Sequence, residues 1–200
     1  HGYLVAAADQ FTPRGITRVC ESGRLMIASF INRYIDTVTL VRLVQQRPDV
    51  RADRVFVIGF SHGGHVAGTM AGSFMDLMAP DHPSNLGGGP PLRAVISVYP
   101  NCDGLPVTLQ RPLLVAVGAD DDLTPADRCP PYVQRVGSAP ITPEIVIYPD
   151  AHHAFDDIRN PGRYAAPFYN RFSPTGSGAT LGYNQTAHRA LERDVLAFLD

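Results

Sequence analysis

An apolar run, Arg54 to Phe60 (RVFVIGF), passes without a linker into Ser61-His62-Gly63-Gly64, after which Val66 and Met70 follow at helical spacing. A strand that becomes a helix at Gly-x-Ser-x-Gly turns so tightly that its central residue is strained, and small residues two positions to either side, here Gly59 and Gly63, relieve the clash. Such a turn lifts the Ser61 hydroxyl above the carboxyl edge of a sheet and aims the next amide, that of His62, into the same space. The helix N-terminus behind it favours negative charge there. A Gly-rich turn with an inert serine is the plain alternative, and the strand before and helix after argue against it.

The remaining apolar runs supply a sheet for that turn to stand on. Tyr3–Ala8 (YLVAAA), Ala94–Tyr99 (AVISVY), Leu113–Val117 (LLVAV) and Glu144–Tyr148 (EIVIY) join Arg54–Phe60 as short runs of the kind shown by parallel strands buried on both faces. Between the first two, Ile27, Phe30, Ile31, Tyr34, Val38, Val41 and Val44 lay one apolar stripe along a helix ending before Pro48. A second helix is expected after Ser61 through Val66, Met70 and Phe74. A last one starts at about Gln185 and carries Ala187, Leu191, Val195 and Phe198. Strands alternating with helices predict an α/β fold, a mainly parallel sheet flanked by helices, with residues 1–200 in a single domain.

Two stretches follow neither period: the Pro/Gly connection Ala79–Leu92, and Asp156–Tyr183, which holds Tyr164, Phe168, Tyr169 and Phe172. The second leaves the sheet just after the last strand-like run and returns as the final helix, so it must cross the rim of the site. Phe168 and Tyr169 are therefore expected to wall a substrate pocket, against the plain alternative that they only pin the loop. The sequence opens at His1 and enters a strand-like run at once, so further strands are expected upstream.

A serine hydroxyl is a poor nucleophile at neutral pH, so a histidine and a carboxylate are expected at later strand ends, in the order Ser, Asp, His. After the fourth run comes Gly118-Ala119-Asp120-Asp121-Asp122-Leu123-Thr124-Pro125. After the fifth comes Pro149-Asp150-Ala151-His152-His153-Ala154-Phe155. Both fall at carboxyl ends of parallel strands, the edge where such sheets place their sites. One of the three aspartates is expected to hold an imidazole while the others cap the next helix. His62 with His65, or His152 with His153, raises zinc as an alternative. Residues adjacent in sequence point apart, however, and neither Cys-x-x-Cys nor His-Glu-x-x-His occurs, so no metal and no cofactor are expected. His65 reads as a packed side chain, and His1, His82 and His188 as surface residues.

Together, GFSHGG, DQFTPRG (Asp9 to Gly15), VGADDDLTPADRC (Val117 to Cys129), YPDAHHAF (Tyr148 to Phe155) and the closing GYN…A…FL resemble the dienelactone hydrolase family of α/β hydrolases, in the family's order and over nearly the whole chain. The resemblance implies the α/β-hydrolase fold and selects Asp121 as the acid and His153 as the base. Dienelactone hydrolases proper carry Cys where Ser61 stands, which favours a general serine esterase over a lactone hydrolase. By the same resemblance Tyr3–Ala8 is the fourth strand and the second oxyanion amide lies before His1. Arg14 lies near where the family can hold an arginine that contacts a substrate carboxylate, with a loop salt bridge as the alternative. A serine peptidase of the prolyl oligopeptidase type, and a non-catalytic α/β-hydrolase-fold binding protein, are the competing functions; a filled triad speaks against the second.

Composition limits the partners. A net charge of −2 with no basic cluster gives no electrostatic footprint for nucleic acid, and no apolar run reaches membrane-spanning length, so a small-molecule ester is the expected partner. All 17 basic side chains are Arg, a codon bias of GC-rich, bacterial type rather than recognition chemistry. Cys102 follows the third run and Cys129 the fourth. If those strands are neighbours, both thiols share one sheet edge and form the candidate disulfide, which favours a periplasmic or secreted enzyme over a cytoplasmic one. Cys20 is left odd.

Overall fold

Four parallel strands, β1 (Phe56–Phe60), β2 (Ala94–Val98), β3 (Leu113–Gly118) and β4 (Glu144–Tyr148), lie side by side in chain order in the computed structural model. The structure describes residues 2–17, 19–20, 23–72, 89–160, 163–164 and 167–200, with side chains 23–28 and 163–164 outside that description. The expectations for Phe74, His82, the Tyr164 side chain and most of Ala79–Leu92 therefore lie outside the described residues. Register pairs Gly59 with Ser97, Ser97 with Val115, and Val115 with Ile145, so the carboxyl ends of all four strands open on one edge.

Every residue of β2 and β3 is buried, as continuous Val/Ile/Leu runs require when both sheet faces are covered. The outer strands differ from the expectation of full burial: Ile58 and Phe60 on β1 and Ile147 on β4 are exposed, each of these strands having a neighbour on one side only among the described residues. One face is covered by α1 (Gly23–Gln45), α2 (His62–Thr69) and α3 (Cys129–Val136), which bring Tyr34, Val38, Val41, Val66, Met70, Tyr132 and Val136 onto Val57, Val95, Leu113 and Val115. The other is covered by α4 (Gln185–Leu199), whose Ala187 and Leu191 pack on Ile96, Leu114 and Ala116. Asn184 caps α4 by accepting from the Ala187 amide at 3.0 Å.

The strand expected at Tyr3–Ala8 is absent. Residues 2–10 carry no regular structure, and Tyr3, Leu4 and Val5 are exposed. A strand exists by pairing, and among the described residues none forms a ladder with this run. Leu4, Val5 and Ala6 instead lie along Leu40, Leu43, Val44 and Arg47 of α1 and just beyond it, around a cavity of about 350 Å³ that none of Ser61, Asp121 and His153 lines. The stretch after Asp156 is better ordered than an open loop: Arg163–Tyr164 pairs antiparallel with Thr180–Leu181 as β5 and β6, and Tyr169 bridges Ser177. No helix among the described residues is long and apolar enough to cross a membrane.

Candidate active site

Ser61 sits between β1 and α2 with φ 55° and ψ −121°, in the left-handed region that non-glycine residues avoid. Its amide donates to Val98 O on β2 at 3.0 Å, and its carbonyl accepts the first helical bond from the His65 amide at 2.9 Å, so sheet and helix hold the strained residue from both sides. Gly59 is required, since a Cβ there would lie 2.0 Å from Gly63 O. The second position under backbone constraint is Gly64, whose Cβ would meet Val98 O at 2.5 Å. Gly63, expected from sequence to be small for this reason, faces only the tip of Arg33, 3.1 Å away.

The loop after β3 brings Asp121 under the loop after β4. His153 Nδ1 lies 2.7 Å from Asp121 Oδ2, and His153 Nε2 lies 2.8 Å from Ser61 Oγ. With both residues buried and the carboxylate accepting at Nδ1, the imidazole carries its proton on Nδ1 and presents an acceptor to the serine hydroxyl. Asp121 Oδ1 takes the amides of Leu123 and Thr124 at 2.9 and 2.8 Å, an Asx turn that fixes the carboxylate plane. His152 is turned away, its Nδ1 donating to Asp120 O at 3.0 Å. Asp122 accepts from the Thr180 amide and hydroxyl, both at 2.9 Å, and so fastens β6 to the acid loop rather than holding an imidazole.

Several contributors were not singled out in the sequence. The Thr124 hydroxyl stands 2.9 Å from Asp121 Oδ2 and 3.1 Å from Tyr99 O, bracing the acid; its place three residues after Asp121 was the signal available. The Tyr99 ring, at a residue with φ 38°, lies 4.6 Å from the His153 ring, and its hydroxyl donates to Asp156 at 2.7 Å. Burial and the nearby Asp156 charge push the Tyr99 hydroxyl far above its ordinary pKa, so it remains a donor. Arg33 of α1 reaches the elbow and donates through Nη1 to His62 Nδ1, a contact for which the helix pattern gave no signal.

Arg14 is held in a fork by Asp36 at 2.6 and 2.8 Å, the loop ion pair that stood as the alternative to a substrate contact. Phe168 is half-buried and Tyr169 exposed. Their segment is tied down by the Tyr169 amide to Cys20 O at 2.7 Å and by Asn170 to Asp122 O and Gly178 O at 3.0 and 2.7 Å. Cys102 and Cys129 are joined in a disulfide with Cα atoms 5.1 Å apart. Among the described residues no group of His, Cys, Asp and Glu is arranged to hold a metal ion.

The model of the dienelactone hydrolase family matches residues 1–200. The chain belongs to the dienelactone hydrolase family. Among solved structures, this family member is similar to a candidate dienelactone hydrolase from Klebsiella pneumoniae, with 22% identity and a TM-score of 0.57 over 85% of this chain and 61% of that one. It is also similar to Thermogutta terrifontis esterase 2: the apo form at 18% identity and TM-score 0.52 over 64% of this chain and 57% of that one, and the form phosphorylated by paraoxon at 16% and 0.57 over 84% and 62%. At these identities the likeness shows the fold, an α/β hydrolase, and the chain spans about three fifths of the length of those relatives. No curated protein matches it.

Proposed function

We propose that this dienelactone hydrolase family member is a serine hydrolase that cleaves small carboxylic esters through an acyl-enzyme. The observation that carries the reading is the unbroken relay Asp121 Oδ2, His153 Nδ1, His153 Nε2, Ser61 Oγ, with links of 2.7 and 2.8 Å, standing on a strained strand-to-helix turn. Ser61 gives its proton to His153 Nε2 as Oγ attacks the ester carbonyl, and the imidazolium is stabilised by Asp121. The carbonyl oxygen, now negative, is received by the His62 amide at the start of α2. Collapse expels the alcohol, which takes the proton from Nε2; water then adds to the acyl carbonyl as it gives a proton to the same nitrogen, and a second collapse breaks the bond to Ser61 Oγ, which takes that proton back as the acid leaves. The esterase phosphorylated by paraoxon has a similar fold and supports the reading as an analogy. The buried Cys102–Cys129 bridge favours an oxidising compartment for this chemistry.

Labelling with a fluorophosphonate tests the nucleophile. Ser61 is expected to be the modified residue, and Ser61→Ala to keep its fold and lose both labelling and nitrophenyl acetate turnover to a residual level. Turnover of Ser61→Ala within a few-fold of the unaltered chain would end the serine mechanism.

A further inference from the structure

At the elbow, α1 delivers a cation. The Arg33 side chain is half-buried, and its Nη1 donates to His62 Nδ1. Its Nε donates to Gln10 Oε1 at 2.8 Å, its guanidinium carbon lies 4.8 Å over the Phe11 ring, and its Nη2 stands 3.1 Å from where a Cβ on Gly63 would be. Gln10 completes a latch, donating through Nε2 to Arg33 O and Thr37 Oγ1, both at 3.0 Å. The guanidinium meets an amide, an imidazole and an aromatic face. Cys20, and after it Asp36, act on it through space, Asp36 being itself forked by Arg14.

A guanidinium stays protonated and can only donate, so His62 Nδ1 must accept, which leaves the His62 proton on Nε2 and the ring uncharged. A full charge is thus kept partly out of water against the residue whose amide faces the reacting carbonyl and the residue after it. Groups fixed in advance where negative charge develops lower the barrier without reorganising during the reaction. We propose that Arg33 is a positioning residue for the oxyanion side of this site: it locks the His62 imidazole in one tautomer and holds a fixed positive charge beside the first turn of α2. The proposal rests on the serine-hydrolase reading above and names how the same site is tuned.

The test compares Arg33→Met, Arg33→Lys and Gln10→Ala with the unaltered chain on nitrophenyl acetate, a neutral ester, and reads the His62 tautomer by nitrogen NMR. Arg33→Met is expected to lower kcat roughly ten- to fiftyfold with KM within about threefold, because the charge acts on the transition state more than on a neutral ground state. Arg33→Lys should recover part of that loss. Gln10→Ala removes the latch but keeps the charge, and is expected to lower thermal stability with kcat changed less than about threefold. In the unaltered chain His62 should be protonated at Nε2 and bare at Nδ1. Equal kcat for Arg33→Met, an equal loss in Gln10→Ala, or a proton on His62 Nδ1 would each overturn the proposal. Should Arg33→Met fail to fold, the Lys variant and the tautomer decide it. Ser61→Ala run in parallel separates the two ideas: activity there sinks the serine mechanism itself, whereas an inactive Ser61→Ala with an unaffected Arg33→Met sinks only the role of Arg33.

Discussion

Asp121 and Asp122 are neighbours with opposite duties, and only one of them faces the imidazole. Asp121 has both oxygens engaged by its own loop and by His153, so Asp121→Asn offers an amide where the ring proton needs an acceptor and disturbs tautomer and orientation together. Its kcat is expected to fall on the order of 10³- to 10⁴-fold with little change in melting temperature. Asp122→Asn leaves the relay untouched but weakens two bonds to Thr180, and is expected to lower stability by roughly 1 kcal/mol while kcat stays within about tenfold. Steady-state kinetics and thermal melts on the pair check both; the reverse pattern would exchange the two roles. The three strand ends that carry the relay were legible because at each a short apolar run meets a turn signal, whereas the choice of Asp121 and His153 over their neighbours came from the family resemblance. Arg33 was not legible, since on α1 it reads as an ordinary charge between Ile31 and Tyr34, and its meaning depends on where α1 crosses the elbow.

At the scale of elements, the strand-to-helix junction is the tightest contact in the fold. Gly59→Ala places a methyl 2.0 Å from the Gly63 carbonyl, backbone against backbone, and its cost is expected at or beyond the upper end of the roughly 1–3 kcal/mol typical of overpacking. Gly63→Ala meets only a guanidinium tip and gains helix propensity, so its stability should change by less than about 1 kcal/mol. Urea titration separates the two, and equal losses would mean that the Gly59 contact does not govern the turn. The same helix carries a pH dependence. His65, its ring 5.2 Å from that of Phe30, has its pKa lowered to about 4, first by burial and further by the positive charge of Arg171. The folded state prefers the neutral ring, so its stabilising effect is complete above the unfolded value of 6.5 and is lost as pH falls towards 4. Over that window the loss is expected to reach roughly 3 kcal/mol, and His65→Asn should flatten the dependence of the urea midpoint on pH. Of the strand-like runs, the four that pair were readable from composition alone. Tyr3–Ala8 is an equally apolar run, though half alanine, and forms no ladder among the described residues, because apolar patterning records a preference for burial and carries no information about whether a partner strand is in place.

For the molecule as a whole, the site is held by loops that belong to different strands, and the Cys102–Cys129 bridge ties two of these regions together. Cys102 opens the turn after β2, a few residues beyond Tyr99; Cys129 opens α3, a few residues beyond Thr124. The bridge is buried and lies in the same core as Tyr132 and Leu105. Closing a separation of 27 residues restricts the unfolded chain by about 3.5 kcal/mol in the loop-entropy model. Arg135 donates to Cys102 O at 3.3 Å and Arg171 to Asp103 at 2.7 Å, so the turn keeps other tethers when the bridge is open. Loss of the bridge should therefore act mainly through the unfolded state and leave the relay assembled. The double variant Cys102→Ala/Cys129→Ala is expected to lose about 3 kcal/mol of stability by urea titration and to keep kcat on nitrophenyl acetate within about threefold below its own melting transition. Dithiothreitol should leave the folded chain's turnover of nitrophenyl acetate unchanged for as long as the buried sulfurs stay out of its reach, then act once denaturant opens the core. A fall in kcat that tracks reduction at constant fold would show instead that the bridge positions Asp121 and His153 directly. Unchanged stability in the double variant would mean that the tethers at Arg135 and Arg171 already restrict the loop.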